Sequence, residues 1–198
     1  MDLLASLREG TAVEHQALED QLDLMNPALD HERYRLLLSG FLGFVEPYER
    51  ALQRWCPEPQ RDLIDGRLKT ATLVADLQAL GFSGEQIDAL PRDAEPGDMH
   101  ERAGWFGRFY VMEGSTLGGR VIGPHVAKTL GLQDGVGNAY FLGHGARTGS
   151  MWKAFRERLQ NSLEPAEHEA AVAAARACFS GLGHWFERAL PASVASAP

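Results

Sequence analysis

Apolar residues in most of this chain recur at spacings of three and four, the period at which side chains share one face of an α-helix. The first such stripe comprises Leu4, Leu7, Thr11, His15, Leu18 and Leu22. No segment shows the alternation of apolar and polar residues that is typical of a half-buried strand. We therefore predict an all-α fold in which residues 1–190 form a single helical domain and residues 191–198 a flexible C-terminal tail.

Caps and helix breakers set the boundaries of the other predicted helices. Asp30 is a suitable N-cap for a second helix, and Ser83 with Gln86 fits a capping box. Residues 91–97 and 135–149 contain clustered glycine and proline, which predicts loops there. The predicted helices span residues 4–22, 31–56, 61–80, a short turn from 83, 98–130, 148–163 and 164–190.

The predicted helix over residues 98–130 contains an unusual segment, Gly114-Ser115-Thr116-Leu117-Gly118-Gly119. Glycine inside a helix costs about 1 kcal/mol relative to alanine, so three within six residues indicate a special role. One interpretation is a bent helix whose bare backbone lies against a flat ligand such as heme. The alternative is close helix–helix packing or a hinge at Gly118 and Gly119.

His15 is the second candidate, because it lies on the apolar stripe of the first predicted helix. Glu19 lies one helical turn further on, where its carboxylate can reach the same ring. A metal-bound histidine usually donates its other N–H to such an oxygen, which fixes the tautomer. Two other interpretations stay open, a hydrogen-bonded core histidine and a surface ion pair.

Composition narrows the function classes. The 198 residues include 19 basic and 27 acidic side chains, a formal charge of -8. This balance argues against nucleic-acid binding, which needs clustered Lys and Arg. We find no apolar run long enough to cross a bilayer and no signal peptide. With only two cysteines and no CxxC pair, we expect a cytoplasmic protein that binds no membrane.

Motifs of rival chemistries are absent from the sequence. It contains no ExxH, HExxH, GxSxG, GK[ST] or GxGxxG, which counts against a di-iron bundle and against a bound flavin or nicotinamide. A redox role would therefore need electrons from elsewhere. We predict that the other histidines are ordinary surface or core residues without special partners, namely His31, His100, His125, His144, His168 and His184.

Three segments resemble the heme oxygenase family. Residues 7–19 are similar to its N-terminal heme-ligand helix, with the pattern L-[KR]-x-x-T-x-x-x-H-x-x-x-E. Residues 113–119 are similar to the E-G-S-x-L-G-G of the distal helix in bacterial members. The match of residues 152–156 and 161–164 to the following helix is weaker. The order and spacing of the three agree over most of the chain.

The resemblance implies a role for each matching residue. His15 would be the proximal ligand of the heme iron, with Glu19 as its hydrogen-bond partner. The opposite, distal face, where oxygen binds, would be lined by Gly114, Ser115, Gly118 and Gly119.

The resemblance also implies residues for the heme propionates. Arg8 and Lys153 would each pair with a propionate, and Arg156 or Tyr110 are weaker candidates. Many family members carry Asp where this chain has Ser115, and that Asp anchors a water that delivers protons. Serine can hold water but brings no negative charge, so we expect proton delivery to be arranged differently here.

The implied protein is a bacterial-type heme oxygenase in which heme lies between the first helix and the kinked glycine-rich helix. Heme would be both cofactor and substrate, cleaved with O2 and an external electron donor to biliverdin, carbon monoxide and Fe2+. One alternative is a protein that binds or carries heme or biliverdin without cleaving it. Another is an unrelated helical interaction protein. The oligomeric state and the cleaved ring position are not predicted.

Overall fold

A computed structural model describes residues 2–94 and 97–190 of the chain. These residues form nine α-helices and no strand, which confirms the predicted all-α class. The helices are α1 (Leu3–Gly10), α2 (Ala12–Leu22), α3 (His31–Arg54), α4 (Arg61–Ile64), α5 (Thr70–Ala79), α6 (Gly84–Asp88), α7 (Arg102–Leu130), α8 (Thr148–Ser162) and α9 (His168–Ala189). The predicted tail, 191–198, and residues 95–96 of the predicted loop lie outside the described residues.

The core forms where α9 packs against α1, α2, α3 and α7. Its largest fully buried side chains include Trp105, Phe106 and Phe186. At Gly107 of α7, a Cβ atom would lie 2.2 Å from the carbonyl oxygen of Ala171 in α9. The helices α7 and α9 therefore approach each other backbone to backbone. Both α2 and α7 pack against α9.

Two predicted helices are each divided in the structure. The first is interrupted at Thr11, whose φ is -111° and whose hydroxyl donates to the carbonyl oxygen of Leu7 at 2.7 Å. The predicted helix over 61–80 is divided into α4 and α5 by a turn with Gly66 at φ +68°. The carboxylate of Glu49 in α3 accepts the backbone N–H of Thr70 at 3.1 Å and so caps α5 from a distant part of the chain.

The remaining predicted boundaries agree closely with the structure. The Asp30 side chain accepts the backbone N–H of Arg33 at 2.7 Å and caps α3, and Ser83 opens α6 with the predicted capping box. The helix predicted over 98–130 begins at Arg102 and ends at Leu130, followed by Gly131 at φ +65°. The glycine segment is helical throughout, and its bend stays a prediction.

Candidate functional site

The α1–α2 segment comes close to α7 at two places, and we call the space between these two places the slot. At one end, Arg8 of α1 lies near Tyr110 of α7. Burial raises the pKa of the Tyr110 hydroxyl, and the positive charge of Arg8 partly opposes this rise. At the other end, Nε2 of His125 in α7 lies 3.2 Å from the carbonyl oxygen of Asn26, just after α2. The fifteen-residue interval of α7 between these ends is about 22 Å long at the helical rise per residue. The middle of α2 and the glycine segment of α7 both lie between these two ends.

His15 occupies the middle of α2, and 55% of its side chain is exposed. Its Nε2 lies 3.4 Å from the nearer carboxylate oxygen of Glu19, and its ring centroid lies 5.1 Å from that of Phe179 in α9. A core histidine, one of the two open alternatives, is excluded by this exposure. The ring is supported from α9 on one side and remains accessible to a ligand.

The surface of α7 at Gly114 and Gly118 has few projecting side chains. A Cβ atom at Gly118 would contact only Ile122 of the same helix, at 3.7 Å, and one at Gly114 would lie 3.4 Å from Trp152. Leu117 and Val121 are exposed beside these glycines, Val121 to 61%. An exposed apolar strip with bare backbone at its centre suits a flat apolar ligand.

Gly119 faces a different way from Gly118. It is buried, and a Cβ atom there would lie 1.7 Å from the carbonyl oxygen of Phe141, in the loop that follows α7. Successive residues of a helix point about 100° apart, so neighbouring glycines serve different surfaces. The structure therefore gives Gly119 a packing reason for being glycine, on the face of α7 turned away from Gly118.

Ser115 is exposed on α7, between Gly114 and Gly118. Its hydroxyl donates to the backbone carbonyl of Met112 at 2.8 Å. The single hydroxyl proton is occupied by this bond, while the oxygen lone pairs remain free to accept from water. Ser115 can thus orient a water molecule as an acceptor but adds no charge to the site.

Three of the predicted propionate-binding residues lie together at the Arg8 end of the slot. The rings of Tyr110 and Trp152 are 5.5 Å apart, and the guanidinium carbon of Arg156 lies 5.7 Å from the Trp152 ring. The Nε of Arg156 is buried without a hydrogen-bond partner in the protein. Both Arg8 and Arg156 influence Tyr110 electrostatically. Such a cationic end suits the carboxylates of a ligand.

Lys153 is placed differently from these three residues. Its side chain is 71% exposed, and its Nζ lies 3.8 Å from the carboxylate of Glu157 on the same helix. An exposed ion pair such as Lys153–Glu157 contributes little free energy, so the Lys153 side chain can rotate toward a ligand at little cost. Among the described residues, the ion pair of Lys153 is with Glu157, whereas Arg8 and Arg156 are the two cations that act on Tyr110.

Sequence reasoning missed a buried polar cluster behind the glycine segment. Glu113, the residue before Gly114, is 2% exposed and pairs with Arg67, and His144 Nε2 lies 3.3 Å from its other oxygen. Lys69 Nζ lies 3.1 Å from His144 Nδ1. His144 was predicted to lack special partners, and the structure corrects this. Only the helical period, which places Glu113 on the inner face of α7, could have pointed to the cluster.

Two further histidines also have partners that the sequence does not reveal. His125 makes the contact at the Asn26 end of the slot. His100 is exposed, its Nδ1 is 2.6 Å from an Asp98 oxygen, and its ring centroid is 3.7 Å from that of Trp55. Within residues 2–94 and 97–190, no group of three or more His, Cys, Asp and Glu side chains is arranged to hold a metal ion. Among these residues, His15 is therefore not part of such a group.

A search of the helices in the described ranges finds none that combines the length and apolarity needed to span a bilayer.

Comparisons with known proteins agree with this geometry. A heme oxygenase from Xanthomonas campestris is 31% identical over 154 residues, which cover 77% of this chain and 87% of that protein. The structure of heme oxygenase from Leptospira interrogans matches with a TM-score of 0.77 at 22% identity, over 95% of this chain and all of that one. Heme oxygenase-1 from the cyanobacterium Synechocystis, solved in complex with heme, matches with a TM-score of 0.75 at 18% identity, over 95% and 92% of the two chains.

The sequence profile of the heme oxygenase family matches residues 1–188, nearly the whole chain. The profile match and the identity to a named relative agree. The chain belongs to the heme oxygenase family.

Proposed function

We propose that this protein binds heme in the slot between α2 and α7 and cleaves it to biliverdin, carbon monoxide and Fe2+. The reaction consumes O2 and electrons from an external donor, because the sequence offers no nucleotide- or flavin-binding motif of its own. The observation that supports the proposal is an accessible imidazole, His15, in a chain whose helix α7 also exposes bare backbone at Gly118. A cytoplasmic location stays a prediction.

His15 binds the iron through one ring nitrogen. Its other nitrogen donates to Glu19, which lies 3.4 Å away in the ligand-free protein. This bond would fix the tautomer and the plane of the ring. Phe179 of α9 contacts the ring from the side and limits its rotation.

Heme, when bound, supplies the iron at which O2 is reduced and the porphyrin carbon that is oxidised. The backbone at Gly114 and Gly118 would lie against the bound heme and restrict where a small ligand can bind. Ser115 holds a water molecule there as a hydrogen-bond acceptor, since its own proton is donated to Met112. Gly119 contributes indirectly, by allowing the Phe141 loop to pack against the back of the helix.

The cationic end of the slot orients the ligand. Arg8 and Arg156 pair with the propionates, and Tyr110 offers its hydroxyl in the same place. The unpartnered Nε of Arg156 is a donor that a carboxylate would satisfy. Lys153, on the exposed side of α8, provides a further charge near the slot. Each charge-assisted bond contributes roughly 1.5–3 kcal/mol.

The substitution His15→Ala tests the iron ligand. We expect the ferric hemin complex to lose the absorption spectrum typical of histidine ligation, and a single turnover with reductant to form no biliverdin. His31→Ala, an exposed histidine at the start of α3, is the matched control and should resemble the wild type in both measurements. An unchanged ferric spectrum in His15→Ala would rule out this ligand. Stable hemin binding by the wild type without biliverdin formation would instead indicate a carrier.

A further inference from the structure

The buried cluster behind the glycine segment contains ionisable groups that the proposed chemistry does not use. Glu113 is bonded through one oxygen to Arg67, and its other oxygen lies 3.3 Å from His144 Nε2. Lys69 Nζ approaches His144 from the other side of the ring, at 3.1 Å from Nδ1. Burying charged groups is unfavourable unless each is paired and hydrogen-bonded. So dense a cluster directly beside Gly114 needs an explanation.

The donors and acceptors of the cluster define one arrangement of protons. A lysine ammonium can only donate, so Nδ1 of His144 accepts from Lys69. Nε2 then carries the ring proton and donates to Glu113. With His144 neutral, the charges of Arg67 and Lys69 balance those of Glu113 and Glu49. The imidazole is therefore a neutral bridge with a defined tautomer between a cation and an anion.

The cluster also ties α7 to three other parts of the chain. Arg67, in the turn between α4 and α5, donates through Nη2 to the carbonyl oxygen of Met151 in α8 at 3.0 Å. Lys69 donates to the carbonyl oxygen of Gly143, in the loop after α7, at 2.5 Å. That loop returns to α7 one turn later, where a Cβ atom at Gly143 would lie 3.2 Å from Thr116. The contacts converge on α7 at residues 113 and 116, on either side of the first glycine.

We propose that Glu113 and His144 are positioning residues for the ligand-facing backbone of α7. They touch no ligand; by holding residues 113–116 against the turn, the loop and α8, they fix how far residues 114–118 project into the slot. Glycine and serine side chains are too small to anchor this turn from the ligand side, so the anchor lies behind it. The inference rests on the proposed function, because it concerns the wall that contacts heme.

The first test measures backbone mobility in the ligand-free protein. His144→Leu can neither accept from Lys69 nor donate to Glu113, whereas the amide of His144→Gln can do both. We expect the amide hydrogens of residues 114–118 to exchange about tenfold faster in His144→Leu, the effect of losing one buried hydrogen-bonded group. Exchange in residues 102–109 of the same helix should stay unchanged, and His144→Gln should restore most of the protection. Equal acceleration along the whole of α7 would overturn the proposal in favour of a general stabilising role.

The second test uses the ferric hemin complex. If the cluster sets the distal wall, His144→Leu shifts the midpoint of the pH titration of the visible spectrum, while His144→Gln keeps it near that of the wild type. Asp62→Asn is the matched control, since it removes the exposed ion pair with Arg158 that also joins the 58–64 region to α8. Coincident titrations of His144→Leu and the wild type would overturn the inference. Failure of the proposed function is separate, because the wild type itself would then bind no hemin.

Discussion

The two walls of the candidate site are held in place by different kinds of interaction. On α2, His15 and Glu19 are more than half exposed, and the helix is tied to α9 by the ion pair between Glu14 and Arg176 at the surface. On α7, the glycine segment is backed by the buried Glu113 cluster and by a loop packed against Gly119. The wall that carries the proposed iron ligand is therefore held by more solvated contacts, whereas the glycine wall is held from behind by buried ones. A bare backbone needs such support because it has no side chains of its own to lock its position.

The two walls should differ most in how much stability is lost when a carboxylate is replaced by an amide. Glu113→Gln leaves Arg67 and Lys69 short of a buried counter-charge, and we expect the free energy of unfolding to fall by about 3–5 kcal/mol. Glu19→Gln removes a solvated partner and should change it by less than about 0.5 kcal/mol. Urea unfolding of both variants at neutral pH measures this. Similar losses in the two would contradict the proposed difference between the walls.

Two adjacent glycines provide the next comparison, within α7 itself. Gly119→Ala places a methyl group against the Phe141 carbonyl, so we expect a loss of about 1–3 kcal/mol from overpacking. The methyl group of Gly118→Ala makes only an ordinary contact with Ile122 of the same helix, so this substitution should stabilise the protein without heme by about 0.5–1 kcal/mol. In the proposed complex the same Gly118 methyl group crowds the distal face, so hemin affinity should fall. Thermal unfolding without ligand and hemin titration together separate the two positions.

The smallest expected effect concerns the ion pair that holds α2 to α9. The hydrogen bond from Arg176 lowers the pKa of Glu14 below its ordinary value, so the folded state binds this proton more weakly than the unfolded state. The stabilisation is therefore present above the unfolded pKa of about 4.3 and is lost as the pH falls through the lower folded value. Arg176→Gln should cost about 0.5 kcal/mol at pH 7 and less at pH 3. Urea unfolding of the variant and the wild type at both pH values tests the sign; a cost that grows at low pH would refute it.

Much of the fold could be predicted because the relevant signals are local. The caps at Asp30 and Ser83 and the stop at Gly131 are decided by residues within a few positions, and the structure has all three. The division between α4 and α5 could not be predicted in this way. It depends on the carboxylate of Glu49, some twenty residues earlier, which caps α5 only after α3 has packed beside it.

The sequence by itself determined the helical class, the pairing of His15 with Glu19 and the position of the glycine segment, because these follow from periodicity and from residue identity. Tertiary structure alone decided that Gly118 and Gly119 face different neighbours. It also decided that Arg8 and Arg156 both lie close enough to Tyr110 to act on it electrostatically. It also decided that Glu113, Arg67, Lys69 and His144 form one cluster. These four residues come from three separate segments, and no pattern along the chain encodes a contact that exists only when those segments pack together.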